Sequence, residues 1–154
     1  MAENLTVMEV FNEATLAPKG PVQWGTAIPD KNPGVYVVAL TEDANASTCE
    51  IDADYLEASE QQRWIANQPI VYIGQTTGQT LVKRVAQFYR HKHGAKSPHR
   101  GGQAVKLLRC DLWVYWSPCA NPRGCERIML DAFIKRTGKL PFANRMMGHK
   151  IKSP

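Results

Sequence analysis

Short continuous apolar runs mark the predicted strands of this chain. Residues 34–40, GVYVVAL, form a β-branched and aromatic run, which predicts a strand buried on both faces or nearly so. Residues 70–73 form a second apolar run, and residues 109–117 form a third that is rich in tryptophan and tyrosine. Glycine and proline residues separate these runs from the polar segments between them. The pattern therefore predicts three strands.

Apolar residues at helical spacing follow the second predicted strand. Leu81, Val85 and Phe88 recur at i, i+4 and i+7, which places them on one face of a helix. Either Thr77 or Thr80 is suitable as the residue that caps the start of this helix. The segment thus predicts a strand, a glycine turn and a helix in succession.

Further helices are predicted on either side of the first two strands. An amphipathic segment over residues 5–16 predicts an N-terminal helix, which a proline- and glycine-rich connector follows. The acidic segment 41–69 predicts a helix that starts at Asp52 or Asp54. Residues 93–103 predict a loop, since glycine and proline recur there. The pattern indicates an α/β fold with an inserted helix between its first two strands.

Two charged residues lie on the apolar faces of helices. Arg84 falls on the stripe of its helix, between Leu81 and Phe88. Glu126 falls on the stripe of a later helix, for which Asn121 is the predicted N-cap, Pro122 suits the first position and Gly138 is the predicted stop. An inward charge must find a partner or bear a large desolvation cost.

The spacing of these two charges leaves two explanations open. Arg84 and Glu126 could form an internal salt bridge, although buried ion pairs often gain little over their desolvation. Alternatively, both could face one cleft, where the carboxylate holds a divalent metal and the arginine holds a phosphate.

Composition bounds the class of protein. A chain of 154 residues with 44% hydrophobic residues is long enough for one domain with a real core. No apolar run approaches the roughly 18 residues of a membrane span, so no membrane partner is expected. The N-terminus has acids but no early lysine or arginine, which is unlike a secretory signal and favours a cytoplasmic location.

The four cysteines are expected to be reduced thiols, which suits a cytoplasmic location. The spacing of Cys110, Cys119 and Cys125 contains no C-x-x-C pair, and no histidine motif lies nearby in the sequence. A zinc site at these residues is the less favoured alternative to buried or incidental thiols.

Charge is divided sharply between the two halves of the chain. Residues 1–69 hold eleven acidic and three basic residues, whereas residues 70–154 hold sixteen basic and three acidic residues. A basic half of this size is the usual electrostatic signature of binding to a phosphate-bearing polymer. A solvated basic face without a partner is the alternative.

Five sequence elements together carry a resemblance to a known family. In order they are GVY at 34–36, VYIG at 71–74, Arg84, Glu126 and P-x-x-N at 141–144. This order resembles the GIY-YIG nuclease superfamily over roughly residues 33–147. The resemblance implies a three-stranded antiparallel sheet flanked by helices. The predicted domain then spans residues 33–154 with the acidic insert 41–69, and residues 1–32 form an N-terminal extension. The resemblance also implies metal-dependent hydrolysis of DNA or another nucleic acid, leaving a 5′-phosphate and a 3′-hydroxyl.

The resemblance also implies a role for each matched residue. Glu126 would be the sole protein ligand of Mg²⁺ or Mn²⁺, with water in the other positions. Tyr36 would act as general base toward the attacking water or position that water, and Tyr72 would hold the phosphate or the water network. Arg84 would neutralise the charge that builds on phosphorus. Asn144 would orient the site.

The turn and one helical position complete the comparison with the family. Gly74 would let the backbone turn closely beneath the cleft. Phe88 stands one helical turn after Arg84, where many family members carry histidine or tyrosine. Because a phenylalanine side chain has no titratable group, this position cannot transfer a proton. Gln75 stands where lysine is common.

A group of basic residues on and after this helix is predicted to contact DNA. The group comprises Lys83, Arg90, Lys92, His93, Lys96, His99 and Arg100. Three functions are therefore compared: an endonuclease, a nucleic-acid-binding module whose catalytic set has decayed, and a protein in which Arg84 and Glu126 are purely structural. The sequence does not indicate an oligomeric state.

Overall fold

The computed structural model describes residues 3–95 and 102–145. In chain order the elements are α1 Val7–Glu13, β1 Lys19–Gln23, β2 Gly34–Ala39, α2 Ala58–Gln61, β3 Ile70–Gln75, α3 Leu81–Arg90, a 3-10 helix Gln103–Leu107, β4 Trp113–Pro118 and α4 Pro122–Thr137. The described chain thus has an α/β fold with four α-helices and one antiparallel sheet of order β1-β4-β2-β3. No helix within the described ranges is both long and apolar enough to cross a membrane.

Strand β2 is the buried centre of the sheet. Every residue of β2 is buried, and the strand pairs with β3 on one side and β4 on the other. Tyr36 and Val38 belong to the core beneath α3, whereas Val35 and Val37 belong to the core beneath α1 and α4. The prediction of a strand buried on both faces is confirmed, because helices cover both sides of the sheet.

The sheet has a fourth strand that the sequence pattern did not predict. Residues of β1 were assigned to a connector, but they pair with β4 at the edge of the sheet. The three-stranded prediction is therefore wrong. An edge strand tolerates Pro21, which has no N–H to donate, and its exposed residues show no apolar alternation to reveal it.

Helix α1 is confirmed and is part of the same core. Thr6 and Glu9 form a capping box, in which each side chain accepts a backbone N–H of the other residue. Val7, Val10 and Phe11 are fully buried against α4 and the sheet. The N-terminal extension thus contributes to the folding of the whole sheet.

Helix α3 begins, and helix α4 both begins and ends, where the sequence predicts. Of the two candidate threonines, Thr80 caps α3, since its hydroxyl accepts the N–H of Lys83 at 3.2 Å. Asn121 caps α4 by accepting the N–H of Gly124 at 3.1 Å. Gly138 ends α4 in the left-handed region at φ 85°.

The acidic insert contains less helix than predicted. The helix does not start at Asp52 or Asp54; only α2 forms within the insert. The carboxylate of Asp52 accepts the N–H of Asp54 at 2.9 Å, a local bond that competes with helix formation. Trp64 instead anchors the insert by its edge-to-face contact with Phe142, at 5.2 Å between centroids.

The cysteines differ from the expectation of four reduced thiols. Cys119 and Cys125 form a disulfide that joins the segment after β4 to the first turns of α4, while Cys49 and Cys110 are free. The expectation is wrong for the bonded pair, because the turn between these elements brings together two residues whose spacing matches no common motif.

Candidate active site

Two buried tyrosines meet on one face of the sheet. Tyr36 on β2 pairs with Gly74 on β3, and Tyr72 lies two residues before Gly74, so strand alternation points both rings to the same side. Their ring centroids are 6.0 Å apart with the planes inclined by 48°. Their side chains are also hydrogen-bonded to each other, so the two hydroxyls form one unit.

The absence of a side chain at Gly74 makes room for this pair. A Cβ at Gly74 would lie 2.7 Å from the Tyr36 hydroxyl and 2.7 Å from the Tyr72 ring. Both distances are shorter than any contact such an atom normally makes. The glycine of the VYIG element is therefore required by the close approach of two rings. The prediction that Gly74 forms the turn is wrong, because Gly74 lies within β3 and pairs with Tyr36.

Arg84 is placed by α3 beside the tyrosine pair. Its side chain is half-buried, and its Nη1 donates to Oε1 of Gln87 at 3.3 Å. The positive charge of Arg84 favours the ionised form of both Tyr36 and Tyr72. The guanidinium therefore lies within electrostatic range of both hydroxyls, as its place on the inward stripe predicted.

Glu126 approaches the same hydroxyls from α4. The residue is only 6% exposed, and burial raises the pKa of its carboxyl from 4.5 to about 7. Its negative charge disfavours ionisation of both Tyr36 and Tyr72. Four side chains from four different elements thus share one electrostatic environment.

Burial dominates the protonation state of the tyrosines. Desolvation raises the pKa of Tyr36 and Tyr72 well above the ordinary value of 10, and Glu126 adds to the effect while Arg84 opposes it. Both residues are therefore neutral phenols at physiological pH. A neutral phenol can donate a hydrogen bond but cannot accept a proton as a phenolate base would.

A direct Arg84–Glu126 salt bridge is absent. Among the residues that the structure describes, no nitrogen of Arg84 lies within 4.0 Å of a Glu126 oxygen. The described residues also provide the Glu126 carboxylate with no hydrogen bond. Of the two explanations left open by the sequence, a direct ion pair between Arg84 and Glu126 is therefore not what the described residues form.

Asn144 acts on the backbone of β3. Its amide nitrogen donates to the Ile73 carbonyl and its oxygen accepts the Ile73 N–H, both at 2.9 Å. Since Ile73 lies between Tyr72 and Gly74, this two-point contact fixes the strand that carries both. The Ala143 N–H also donates to Val71 at 2.9 Å, so residues 141–145 cover the open edge of β3.

Phe88 joins the tyrosines in an aromatic cluster. Its ring lies 5.4 Å from Tyr72 and 6.2 Å from Tyr36, and Trp24 packs edge-on against it at 4.9 Å. The position that carries a proton-transferring side chain in many members of the resembled family therefore packs as an apolar wall here.

Sequence reasoning missed two residues that shape this cluster. Gly102 lies against the other side of the Tyr72 ring, where a Cβ would come within 2.6 Å, and Trp24 reaches Phe88 from the end of β1. The glycines of the predicted loop were the only sequence signal for Gly102, and the sequence pattern contained no signal for Trp24.

The structure describes four of the seven residues that are predicted to contact DNA. Lys83, Arg90, Lys92 and His93 are all exposed along α3 and just beyond it. The remaining three residues of the group, Lys96, His99 and Arg100, lie outside the described residues.

The Glu126 carboxylate fits a divalent cation that keeps most of its own water. Its oxygens are buried, and burial raises the pKa of the carboxyl by disfavouring the charged form. A cation bound to the carboxylate would stabilise that charged form. Within residues 3–95 and 102–145, no cluster of three or more His, Cys, Asp or Glu residues suits a metal that demands several protein ligands. The single donor matches Mg²⁺ or Mn²⁺ better than zinc.

Comparison with known proteins adds no assignment: no protein-family model, no curated protein and no solved structure matches this chain.

Proposed function

We propose that this protein is a metal-dependent endonuclease that hydrolyses phosphodiester bonds of DNA. The observation that carries the proposal is the convergence of Tyr36, Tyr72, Arg84 and Glu126 in one electrostatic environment. Buried cation, carboxylate and hydroxyl groups from separate elements rarely converge without a functional reason. The basic half of the chain supports a phosphate-bearing substrate.

The proposal includes a GIY-YIG-like core for the fold. Strands β2, β3 and β4 with helices α3 and α4 correspond to the three-stranded core that a GIY-YIG nuclease would have. Strand β1 and helix α1 are then additions that extend this core on one edge and one face. The order of the five matched sequence elements supports the assignment.

Each residue has a role that follows from its surroundings. Arg84 neutralises the charge that builds on the phosphate in the transition state. The Tyr36 and Tyr72 hydroxyls orient the attacking water and the phosphate oxygens as neutral donors. Glu126 holds Mg²⁺ or Mn²⁺, which when bound supplies positive charge beside the phosphate. Asn144 and Gly74 keep β3 and the rings in place.

The hydrolysis has a simple balance. The water oxygen forms a new bond to phosphorus while the bond from phosphorus to the 3′-oxygen breaks. The water loses a proton to solvent along the hydroxyl pair, and the departing 3′-oxygen gains one from solvent. The products are a 5′-phosphate and a 3′-hydroxyl.

Nicking of supercoiled plasmid tests the proposal. Wild-type protein with Mg²⁺ or Mn²⁺ should nick the plasmid, and Glu126→Gln should lower the rate by roughly a thousandfold or more, since an electrostatic contribution of about 4 kcal/mol is lost. Asp131→Asn, an exposed carboxylate on the same helix, is the matched control and should retain activity. Equal rates for wild type and Glu126→Gln would contradict the proposal.

A nucleic-acid-binding module with a decayed catalytic set is the second candidate. The apolar packing of Phe88 against both tyrosines favours it, because this position offers no proton-transferring group. This candidate predicts that the wild-type protein binds duplex DNA with a strong salt dependence but does not cleave it with either metal.

A further inference from the structure

A cavity of about 340 Å³ lies beside the open edge of β3, outside the tyrosine cluster. Its walls come from the end of the acidic insert and from the segment that follows α4. The lining residues are Gln62, Arg63, Lys139, Leu140, Pro141 and Asn144. It therefore lies between two parts of the chain that are far apart in sequence.

Two cations, Arg63 and Lys139, line this cavity. Arg63 is the only basic residue in the acidic insert 41–69, which otherwise carries seven acidic residues. It is exposed, and within the described chain it takes part in no ion pair. Lys139 is also exposed, and its ammonium uses one proton to bond the Gln62 carbonyl at 3.0 Å, which leaves two protons for a ligand.

The carboxylate of Glu60 does not cancel this charge. Glu60 lies three residues before Arg63, but its Oε1 is held by Nη2 of Arg145 at 2.6 Å. Because that ion pair already neutralises Glu60, the cavity retains the positive charge of Arg63 and Lys139.

The cavity is connected to the candidate active site through one residue. Asn144 lines the cavity and binds both backbone groups of Ile73, which lies between Tyr72 and Gly74. Both sites therefore adjoin strand β3. A polymer with regularly spaced phosphates can occupy both sites at once, whereas a single small anion cannot.

We propose that Arg63 and Lys139 form a second phosphate site, which binds the backbone of the DNA at a phosphate away from the scissile one. The inference deepens the proposed function and rests on it for the identity of the polymer. The site positions the duplex on the β3 edge and does not take part in bond cleavage.

The test compares two double variants of equal net charge. Arg63→Gln with Lys139→Gln removes the two cations of the cavity. Lys31→Gln with Lys135→Gln removes one exposed cation from each half of the chain without touching the cavity, and serves as the matched control. Binding of a fluorescent duplex is measured in EDTA over a range of salt concentrations, so that cleavage does not contribute.

The cavity variant should bind the duplex roughly tenfold more weakly at physiological salt, and the slope of log K against log salt should fall by about 0.9 per lost contact. The control should change by less than half as much. Equal effects of the two double variants would overturn the inference.

Other outcomes separate the inference from the proposed function. If the cavity variant loses affinity while the wild type never cleaves, the phosphate site stands and the endonuclease proposal fails. If the wild type cleaves but both variants bind alike, only the phosphate site fails. Stabilisation of the wild type by inorganic phosphate, lost in the cavity variant without any change in duplex affinity, would indicate a site for free phosphate and would also overturn the inference.

Discussion

Glu126 lies in an environment that an acidic side chain normally avoids. A carboxylate that is 6% exposed and has no described partner is costly to ionise, and this burial raises its pKa to about 7. A buried carboxylate lowers the stability of a helix that has no ligand to bind, whereas a bound cation would compensate its charge.

Stability as a function of pH tests this environment. Because the pKa of Glu126 is higher in the folded chain than its ordinary value of 4.5, the folded state holds its proton more tightly than the unfolded state. The contribution to stability is complete below pH 4.5 and is lost as pH rises to about 7. Glu126→Gln should therefore be more stable than wild type at pH 8, by about 3 kcal/mol at about 1.4 kcal/mol per pKa unit.

Urea denaturation at several pH values measures this difference. The two proteins should have similar stability near pH 4 and should diverge above it. Mg²⁺ should raise the stability of wild type at pH 8 and leave Glu126→Gln unchanged. If the unfolding free energies of the two proteins changed with pH in the same way, the raised pKa of Glu126 would be contradicted.

Gly74 provides a second test at this scale. Gly74→Ala should displace the tyrosine rings, because its Cβ would lie 2.6 Å from the nearest Tyr36 atom. Overpacking of this kind costs about 1 to 3 kcal/mol, and nicking should fall by at least about tenfold if the rings position the reacting groups.

Gly78→Ala is the control for this change. Nothing lies within 4 Å of its Cβ, although its φ of +79° makes the substitution strained. Its stability should fall by about 1 kcal/mol, but its nicking rate should remain near that of wild type. Loss of activity in both variants would mean that stability alone explains the effect of Gly74→Ala.

At the scale of elements, the segment after α4 holds the edge of the sheet. Residues 141–145 bond to β3 at Val71 and Ile73, and so protect an edge strand that would otherwise present free backbone groups. The asparagine of the P-x-x-N element thus has a structural explanation that its sequence context did not reveal.

Asn144→Asp should weaken this contact. The aspartate still accepts the Ile73 N–H but repels the Ile73 carbonyl, to which the amide donated. We expect a loss of about 1 to 3 kcal/mol in unfolding free energy and faster hydrogen exchange at the Ile73 amide. Asn45→Asp, at an exposed position, is the control, and equal stability of the two variants would contradict the role assigned to Asn144.

The helices illustrate what local signals determine. Caps at Thr80, Asn121 and Gly138 lie where residue type and apolar spacing indicated, because capping depends on neighbours in sequence. The helix in the insert was overestimated, since the Asp52–Asp54 bond is equally local and stabilises a turn instead.

For the whole molecule, the N-terminal region is integral to the fold. Phe11 is fully buried between α4 and the sheet, and β1 pairs with β4. Phe11→Ala should therefore lower the unfolding free energy by about 3 to 5 kcal/mol. Ile128→Ala, at a side chain 47% exposed, should change it by less than about 0.5 kcal/mol.

Thermal or chemical denaturation of the two variants distinguishes an integral region from an appended one. If residues 1–32 were merely attached, Phe11→Ala would leave the main unfolding transition unchanged. A single cooperative transition shifted by the expected amount would support one folding unit.

The sequence by itself determined most local properties of this protein: where strands β2, β3 and β4 and helices α1, α3 and α4 form, which helix faces are apolar, which two charges turn inward and how charge divides along the chain. These follow from residue type and spacing over a few positions. The tertiary structure alone decided that β1 pairs with β4, that Cys119 bonds Cys125, that Phe88 packs against both tyrosines and that Arg63 and Lys139 line one cavity. Each of these depends on contacts between segments that no local period relates, so only the folded chain brings them together.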